Sequence, residues 1–222
     1  MIGLILGDTQ LGKVIIKKLK LLKIKFIIID ISKKKIFKRN KNSHSLSIGQ
    51  LGKAISILKK NRCKKIIFAG RVNKPNFSKV KFDLKALYYL PKIIKESTKG
   101  DAPILKVIIK IFKKEGFKII KSTFFNPELV LTKGNYTKIK PNNLNKKDIS
   151  RGKNIVTDLK ESNIGQAVVV RNGHVIAIES YDGTDAMLHR AAILLKRFIL
   201  EKKKEGILLK FPKRNQDLRI DL

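Results

Sequence analysis

The sequence is poor in acidic residues, in cysteine and in long apolar stretches. Its 222 residues contain 17 Asp and Glu against 51 Lys and Arg, together with a single cysteine, Cys63. One cysteine excludes an internal disulfide and every zinc site built on several cysteines. No apolar run approaches the roughly 20 residues of a membrane-spanning helix, and the apolar start at residues 2–6 is too short for a signal peptide. We therefore expect a cytoplasmic protein without disulfides or transmembrane helices.

The formal charge of +34 has two explanations. A strongly basic surface attracts anions, so nucleic acid and anionic lipid are the first partners to consider. Only 9 of the basic residues are arginine, the side chain suited to bidentate contacts with bases and phosphates. Lysine, isoleucine and asparagine are abundant together, a pattern typical of compositional drift. We expect no nucleic-acid partner, although a basic nucleic-acid-binding protein stays an alternative and a general attraction to anions remains.

Strands and helices alternate in the first half of the sequence. Apolar strands are predicted at residues 2–6, 24–30 and 65–69, with amphipathic helices between them. Continuous apolar strands separated by helices are typical of a parallel sheet covered on both faces. The first loop, Gly7-Asp8-Thr9-Gln10-Leu11-Gly12, half matches the dinucleotide motif G-x-G-x-x-G, because Thr9 occupies its middle position. Residues 1–128 are therefore predicted to form a Rossmann-like domain.

Three features near the strand ends of this domain allow both a structural and a ligand-binding interpretation. Asp30 lies where a dinucleotide enzyme places its ribose-binding acid. Gly70 opens a loop with two cations, which is either an anion site or a solvated turn. Residues 77–90 are irregular in pattern and rich in large apolar side chains, and core packing is favoured over an apolar groove. A nucleotide- or dinucleotide-binding enzyme is therefore the alternative function.

A second domain is predicted at residues 129–222, after a polar stretch that contains Gly and Pro. A helix is expected at residues 146–159. Asn172-Gly173 between two apolar runs predicts a β-hairpin, because both turn positions favour positive φ. A helix at residues 186–203 and a last strand at 206–211 complete an α/β domain with a mixed sheet. We expect the ligand site between the two domains.

Acidic loops are unusual in so basic a chain, yet residues 151–222 hold 9 of the 17 acids. Asp182 and Asp185 follow the hairpin, and the acids and arginine of residues 217–221 share one face of an extended segment. Mg²⁺ is commonly bound by one or two carboxylates together with substrate phosphates. The alternative is a helix start, with Asp182 or Thr184 as N-cap and Asp185 at the positive end of the helix dipole. Both interpretations stay open on the residues alone.

Several motifs extend over the whole chain. Those of the first half are Gly7 to Leu11, Ala69-Gly70-x-Val72 with Pro75, Gly100-Asp101 with Leu105, and Glu115-Gly116-Phe117. Those of the second half are Asp148-Ile149 with Gly152, Gly165-Gln166-Ala167-Val168-Val169-Val170, Asp182-Gly183-Thr184-Asp185-Ala186-Met187-Leu188-x-Arg190-Ala191, and Leu209-Lys210-x-Pro212-Lys213-x-x-Gln216-Asp217-x-Arg219-x-Asp221-Leu222. Together they resemble the LpxI family, the UDP-2,3-diacylglucosamine pyrophosphatases of lipid A biosynthesis. The chain departs from that family's pattern at Thr9, Gly12, Lys74, Asp182 and Arg214-Asn215. The family also continues past Leu222, so a C-terminal truncation is expected.

The resemblance implies a Mg²⁺-dependent hydrolase that splits UDP-2,3-diacylglucosamine into 2,3-diacylglucosamine 1-phosphate (lipid X) and UMP. It implies Asp217, Asp185 and Asp182 as catalytic residues, and these three with Asp221 as Mg²⁺ ligands. The residues implied in substrate binding are Gly7, Thr9, Gly70, Gln166, Thr184, Arg190, Lys210, Lys213, Gln216 and Arg219. It also implies a groove for the acyl chains and peripheral association with the cytoplasmic face of the inner membrane, and it leaves a homodimer open.

Overall fold

Two separate sheets organise the chain in the computed structural model, which describes residues 1–72, 75–98, 101–162, 164–198 and 206–212. Residues 1–132 form one compact unit and residues 133–216 form another. Each unit combines one sheet with α-helices, which confirms the predicted α/β class.

The first unit is built on a five-stranded sheet in which all neighbouring strands are parallel. The strand order is β3-β2-β1-β4-β5, the order in which a doubly wound Rossmann sheet begins. The parallel sheet predicted for the first domain is thus confirmed. Its strands are β1 Ile2–Leu6, β2 Phe26–Asp30, β3 Ser43–Ser45, β4 Lys65–Ala69 and β5 Lys118–Ile119.

Both faces of this sheet are covered by helices, because alternate residues of each central strand enter different cores. In β1, Leu4 and Leu6 pack with the apolar side of helix α1 (Leu11–Leu21). Between them Ile5 points the other way and packs with helix α2 (Leu51–Lys60). The same alternation explains why these strands read as unbroken apolar runs.

Helix α3 (Leu84–Ser97) corrects one prediction. Residues 77–90 were expected to be irregular, but a short 3₁₀ turn at Phe77–Lys79 is followed by a regular helix. The favoured core packing holds in part, because Ala86 is buried and Phe82 and Tyr89 pack against the same core. Asp83 caps it, accepting a hydrogen bond from the Ala86 amide at 2.9 Å. Of the α3 side chains only Ala86 and Ser97 are buried. The sequence concealed the helix because Pro91 lies inside it, and proline is typical of helix ends and loops.

Helix α4 (Asp101–Lys114) follows α3 and leads to a junction of three helices at Glu115. The Glu115 carboxylate pairs with Lys59 of α2 and with Lys85 of α3. Hydrogen bonds from these two lysines hold the pKa of Glu115 below its ordinary value. The ion pairs therefore connect α2, α3 and the end of α4 beside the sheet.

The second unit contains a three-stranded sheet in the order β7-β6-β8, flanked by two helices. A mixed sheet was predicted, but both strand pairs described here are antiparallel, because β6 and β7 form a hairpin and β8 returns along β6. Val168 and Val170 of β6 pack against α5, while Ala167 and Val169 pack against α6. The elements are α5 Asn143–Glu161, β6 Ala167–Arg171, β7 His174–Ile178, α6 Gly183–Phe198 and β8 Ile207–Lys210.

The hairpin turn has the predicted backbone conformation. Asn172 has φ 48° and Gly173 has φ 77°, so both central residues are left-handed. The buried Asp148 carboxylate of α5 accepts hydrogen bonds from the amides of Asn172 at 2.9 Å and Gly173 at 2.6 Å. The hairpin is thereby anchored to the helix that packs on its sheet.

None of the helices in the described ranges combines the length and the apolar character that crossing a bilayer requires.

Candidate functional site

Four of the predicted site residues that the structure describes in the second unit lie together where α6 begins. The Glu179 amide donates to the Ala167 carbonyl on one side of β6, and Lys210 is paired with Ala167 on the other side. Glu179 and Lys210 therefore lie at the same end of the sheet. Gly183, with φ +86°, begins α6, and the next residue, Thr184, contacts Lys210. The fold thus brings the helix start and the end of β8 together.

A chain of hydrogen bonds joins a buried carboxylate to an exposed cation at this point. Lys210 Nζ donates to Thr184 Oγ1 at 2.9 Å, and Thr184 Oγ1 donates to Glu179 Oε2 at 2.7 Å. Because a hydroxyl has one proton and two lone pairs, Thr184 can serve both neighbours at once. Glu179 is only 3% exposed. We call this arrangement the Glu179–Thr184–Lys210 chain.

Asp182 belongs to an ion pair at the same helix start. Its carboxylate accepts a hydrogen bond from Ser180 Oγ at 2.8 Å and pairs with Arg190 from the second turn of α6. Arg190 also donates to the Ile178 carbonyl at 3.1 Å. The Ser180 hydrogen bond, followed by the Arg190 contacts, holds the pKa of Asp182 below its ordinary value. Asp182 is therefore a carboxylate at neutral pH.

The hydrogen bonds of this loop do not support Asp182 or Thr184 as the N-cap of α6. In the described part of the chain, the side-chain hydrogen bonds of Asp182 go to Ser180 and Arg190, and those of Thr184 go to Glu179 and Lys210. Neither side chain accepts from a backbone amide of the first helical turn there, as an N-cap would. Asp185 is exposed and lies in the first turn, near the positive end of the helix dipole.

The structure describes only two of the four predicted Mg²⁺ ligands. Among the residues that the structure describes, no three His, Cys, Asp or Glu side chains are grouped as a metal site would require. Asp182 and Asp185 supply hard carboxylate oxygens, which fit a Mg²⁺ ion that shares its coordination with a substrate phosphate. The other two predicted ligands, Asp217 and Asp221, lie outside the described residues.

The remaining predicted residues of this unit are placed as follows. Gln166 directly precedes β6, and its carbonyl accepts a hydrogen bond from the Phe211 amide at 2.8 Å, next to Lys210. Asp182, Thr184, Arg190 and Lys210 are thus brought together, with Gln166 at the adjoining strand end. Three further predicted substrate-binding residues lie outside the described residues: Lys213, Gln216 and Arg219.

The two glycine loops of the first unit pack on each other. The Asp8 amide donates to the Arg71 carbonyl at 2.7 Å, and a Cβ on Gly7 would collide with that carbonyl. Gly70 has φ +92°, and a Cβ there would come within 2.9 Å of the Gly7 backbone. Both glycines are therefore required by packing. Substrate contact for Gly7, Gly70 and the neighbouring Thr9 stays a prediction.

Asp30 does not serve as a free ribose-binding acid. It is fully buried, and its carboxylate accepts hydrogen bonds from Ser32 Oγ at 2.6 Å, the Ser32 amide at 3.0 Å and the Phe37 amide at 2.9 Å. Both carboxylate oxygens therefore organise the loop after β2. Asp30 is therefore not available to bind a ribose, as the dinucleotide alternative required.

Two buried acids of the second unit make contacts that the sequence did not reveal. Glu179 was not singled out, and Asp148 was only part of a motif. The signal that could have found Glu179 is an acid next to an apolar strand. Such an acid is easily buried, and a buried carboxylate requires polar partners. Their partners became visible only in the folded structure.

Comparisons with known proteins match both units. Residues 1–129 match the LpxI N-terminal domain and residues 132–222 match the LpxI C-terminal domain. The chain belongs to the LpxI family. Over 178 residues it is 35% identical to the UDP-2,3-diacylglucosamine pyrophosphatase LpxI of Caulobacter vibrioides, a match that covers 80% of this chain and 64% of that relative. The chain thus spans a little under two thirds of the relative's length.

Among solved structures, N5-carboxyaminoimidazole ribonucleotide synthetase from Thermotoga maritima aligns with 95% of this chain and 45% of its own. Its TM-score of 0.30 and 15% identity are too low to carry an inference. The LpxI assignment rests on the family matches, and it confirms the resemblance that the sequence motifs indicated.

Proposed function

We propose that this LpxI-family chain hydrolyses the pyrophosphate bond of UDP-2,3-diacylglucosamine, giving 2,3-diacylglucosamine 1-phosphate and UMP. The name of the Caulobacter relative supports this substrate. The observation that carries the proposal is the cluster at the start of α6, where Lys210 and Arg190 lie beside Thr184 and Asp182. Cations at a helix N-terminus suit a phosphate substrate, and the carboxylates beside them suit a Mg²⁺ ion that the phosphate would share.

The charges of this cluster fit pyrophosphate hydrolysis. A water oxygen forms a bond to one phosphorus atom while a catalytic carboxylate accepts the water proton, the bridging P–O bond breaks, and the departing phosphate takes the electron pair. Negative charge grows on the phosphate oxygens during this step, and fixed cations stabilise it. Lys210, Arg190 and the N-terminal amides of α6 are the groups that we propose for this role. Asp217, Asp185 and Asp182 are the proposed catalytic carboxylates.

Mg²⁺ is the proposed cofactor. Asp182 and Asp185, with Asp217 and Asp221, would hold it through carboxylate oxygens. When bound, the ion would neutralise phosphate charge as a Lewis acid. The Ser180 hydrogen bond and then the Arg190 contacts lower the pKa of Asp182, so its carboxylate is ionised at neutral pH, as a metal ligand must be.

Further substrate contacts are proposed from the resemblance to the LpxI family. The residues proposed to complete the substrate site are Gly7, Thr9, Gly70, Gln166, Lys213, Gln216 and Arg219. Because the substrate carries two acyl chains, we also propose a cytoplasmic protein peripherally associated with the inner membrane. The occupied carboxylate of Asp30 disfavours the dinucleotide-binding alternative.

The test is UMP release from the UDP-lipid in detergent micelles with Mg²⁺. We expect turnover by the wild type, a loss on chelation that Mg²⁺ restores, and roughly a hundredfold lower kcat/KM in Lys210→Ala. Asp217→Ala should lose nearly all activity. Lys153→Ala, an exposed lysine of α5, is the matched control and should keep full activity.

The outcomes separate the reaction from the site. If the wild type releases no UMP, the hydrolase proposal is wrong. If Asp217→Ala and Lys210→Ala retain the wild-type rate while UMP is formed, only the site assignment is wrong.

A further inference from the structure

Helix α3 presents an apolar surface to solvent. Leu84 is 87% exposed, Tyr88 78%, Leu87 48% and Ile94 43%, and Pro91 between them is also exposed. These positions recur at intervals of three and four residues, so they share one side of the helix. We call these five residues the outer face of α3.

The outer face is not needed to hold α3 in the fold. On the opposite side of the helix, Ala86 is buried in the core of the first unit, and Tyr89 and Ile93 pack against the same core. Lys85 adds the ion pair to Glu115. The helix is therefore attached by its inner side, and the outer face is additional apolar surface. A contiguous apolar stripe of this kind marks an interaction site more often than scattered exposed residues do.

Positive charge accompanies the outer face. Lys92 and Lys95 of α3 are exposed beside it, and Lys81 is exposed just before the helix. The whole chain carries a formal charge of +34. Lysine side chains can lie along an apolar surface while their ammonium groups reach a polar layer. Apolar residues flanked by lysines are typical of helices that lie in the interface of an anionic membrane.

We propose that the outer face of α3 docks on an anionic phospholipid bilayer. Its apolar side chains would lie at the boundary between headgroups and acyl chains, with the lysines at lipid phosphates. A second copy of the chain fits this face less well, because a two-fold contact places the same lysines of two basic molecules against each other. The proposal rests on the peripheral association proposed above and names the surface that performs it.

The first experiment uses the absence of tryptophan from the chain. Tyr88→Trp places a single fluorophore in the outer face. Vesicles of phosphatidylethanolamine with one quarter phosphatidylglycerol, free of UDP-lipid, should shift its emission to the blue. Vesicles of phosphatidylcholine alone should leave it nearly unchanged. An emission unchanged by the anionic vesicles would overturn the proposal.

The second experiment measures co-sedimentation with the anionic vesicles. Replacing both Leu84 and Leu87 by Gln should weaken binding about tenfold, because two apolar side chains no longer enter the interface. The matched control is Leu21→Gln with Leu131→Gln, two leucines that are 70% and 71% exposed elsewhere in the same unit. The control should bind as the wild type does. Lys92→Glu with Lys95→Glu should weaken binding to anionic vesicles specifically.

Other occupants give different results. If the Leu84 and Leu87 variant binds vesicles normally but no longer self-associates in sedimentation equilibrium, the face is a contact between copies. If it binds vesicles normally but hydrolyses micellar UDP-lipid with a higher KM, the face holds acyl chains of the substrate. Either result overturns membrane docking. Vesicle binding without any UMP release would contradict the proposed hydrolysis and leave the docking surface supported.

Discussion

Glu179 shows how a single buried acid is accommodated in this basic chain. Moving a carboxylate out of water is costly unless hydrogen bonds and opposite charge compensate for it. Thr184 supplies the hydrogen bond, and Lys210 supplies the charge one bond further on. The same contacts fix the orientation of the Thr184 hydroxyl and hold the Lys210 ammonium at the start of α6. We infer that Glu179 is a positioning residue for Lys210.

Glu179→Gln should separate positioning from simple packing. The amide keeps the size of the side chain and can still accept from Thr184, but it removes the charge that balances Lys210. We expect about tenfold lower kcat for UMP release and a loss of about 1 kcal/mol in unfolding free energy. Asp158→Asn, an exposed acid of α5, is the control and should change neither quantity.

The discriminating measurement is a double-mutant cycle with Lys210→Ala. If Glu179 acts through Lys210, the effects of the two changes on kcat/KM should be strongly non-additive. Additive effects, or a Glu179→Gln variant with unchanged kcat and stability, would contradict the positioning role.

Individual acids illustrate the limit of sequence reasoning. The sequence correctly marked the loop around Asp182 as unusual, because several acids followed one strand in a basic chain. It could not separate Asp182, which pairs with Arg190, from Asp30, which is enclosed by its own loop. Both acids follow apolar strands. Their difference lies in neighbours that only the folded backbone supplies.

At the level of secondary structure elements, the anchor between α5 and the β6–β7 hairpin depends on Asp148. Its buried carboxylate accepts both turn amides, at 2.9 and 2.6 Å. Asp148→Ala should therefore lower the unfolding free energy by about 2 to 3 kcal/mol, because two turn amides lose their hydrogen bonds to a charged acceptor. Asp148→Asn, which keeps one acceptor oxygen, should lose less.

Urea unfolding monitored by circular dichroism measures these changes. Asp158→Ala, on the same helix and exposed, controls for the loss of a carboxylate from α5. A midpoint for Asp148→Ala equal to that of the wild type would show that the anchor does not contribute to stability.

Elements with one dominant local signal were predictable, and those without it were not. Asn172-Gly173 specified the hairpin because its turn conformation is rare in other residues. The strand at Ser43–Ser45 is short and polar, so neither the hydrophobicity nor the periodicity of its residues indicated a strand. Helix α3 was missed because Pro91 lies inside it, and a proline there indicates a helix end or a loop rather than a continuous helix.

For the whole molecule, the order of strands and helices predicted two α/β units with separate sheets. The parallel sheet followed from its unbroken apolar strands, since residues such as Leu4 and Ile5 are buried on opposite faces. The antiparallel pairing of β8 with β6 could not be read from its four residues, because strand direction depends on how the chain returns from α6. Net charge carried no information about the fold, but it constrains the partners.

DNA binding at different salt concentrations tests the nucleic-acid alternative that the charge of +34 suggests. With 42 lysines and only 9 arginines, the chain should bind duplex DNA through phosphates alone. We expect dissociation constants that agree within about threefold among unrelated duplexes and that rise steeply with salt. Fluorescence anisotropy over a salt series measures both quantities, with hydrolysis of the UDP-lipid followed in the same buffers. A preference of about tenfold or more for one duplex that persists at high salt would support a nucleic-acid-binding function, because phosphate contacts do not distinguish sequences.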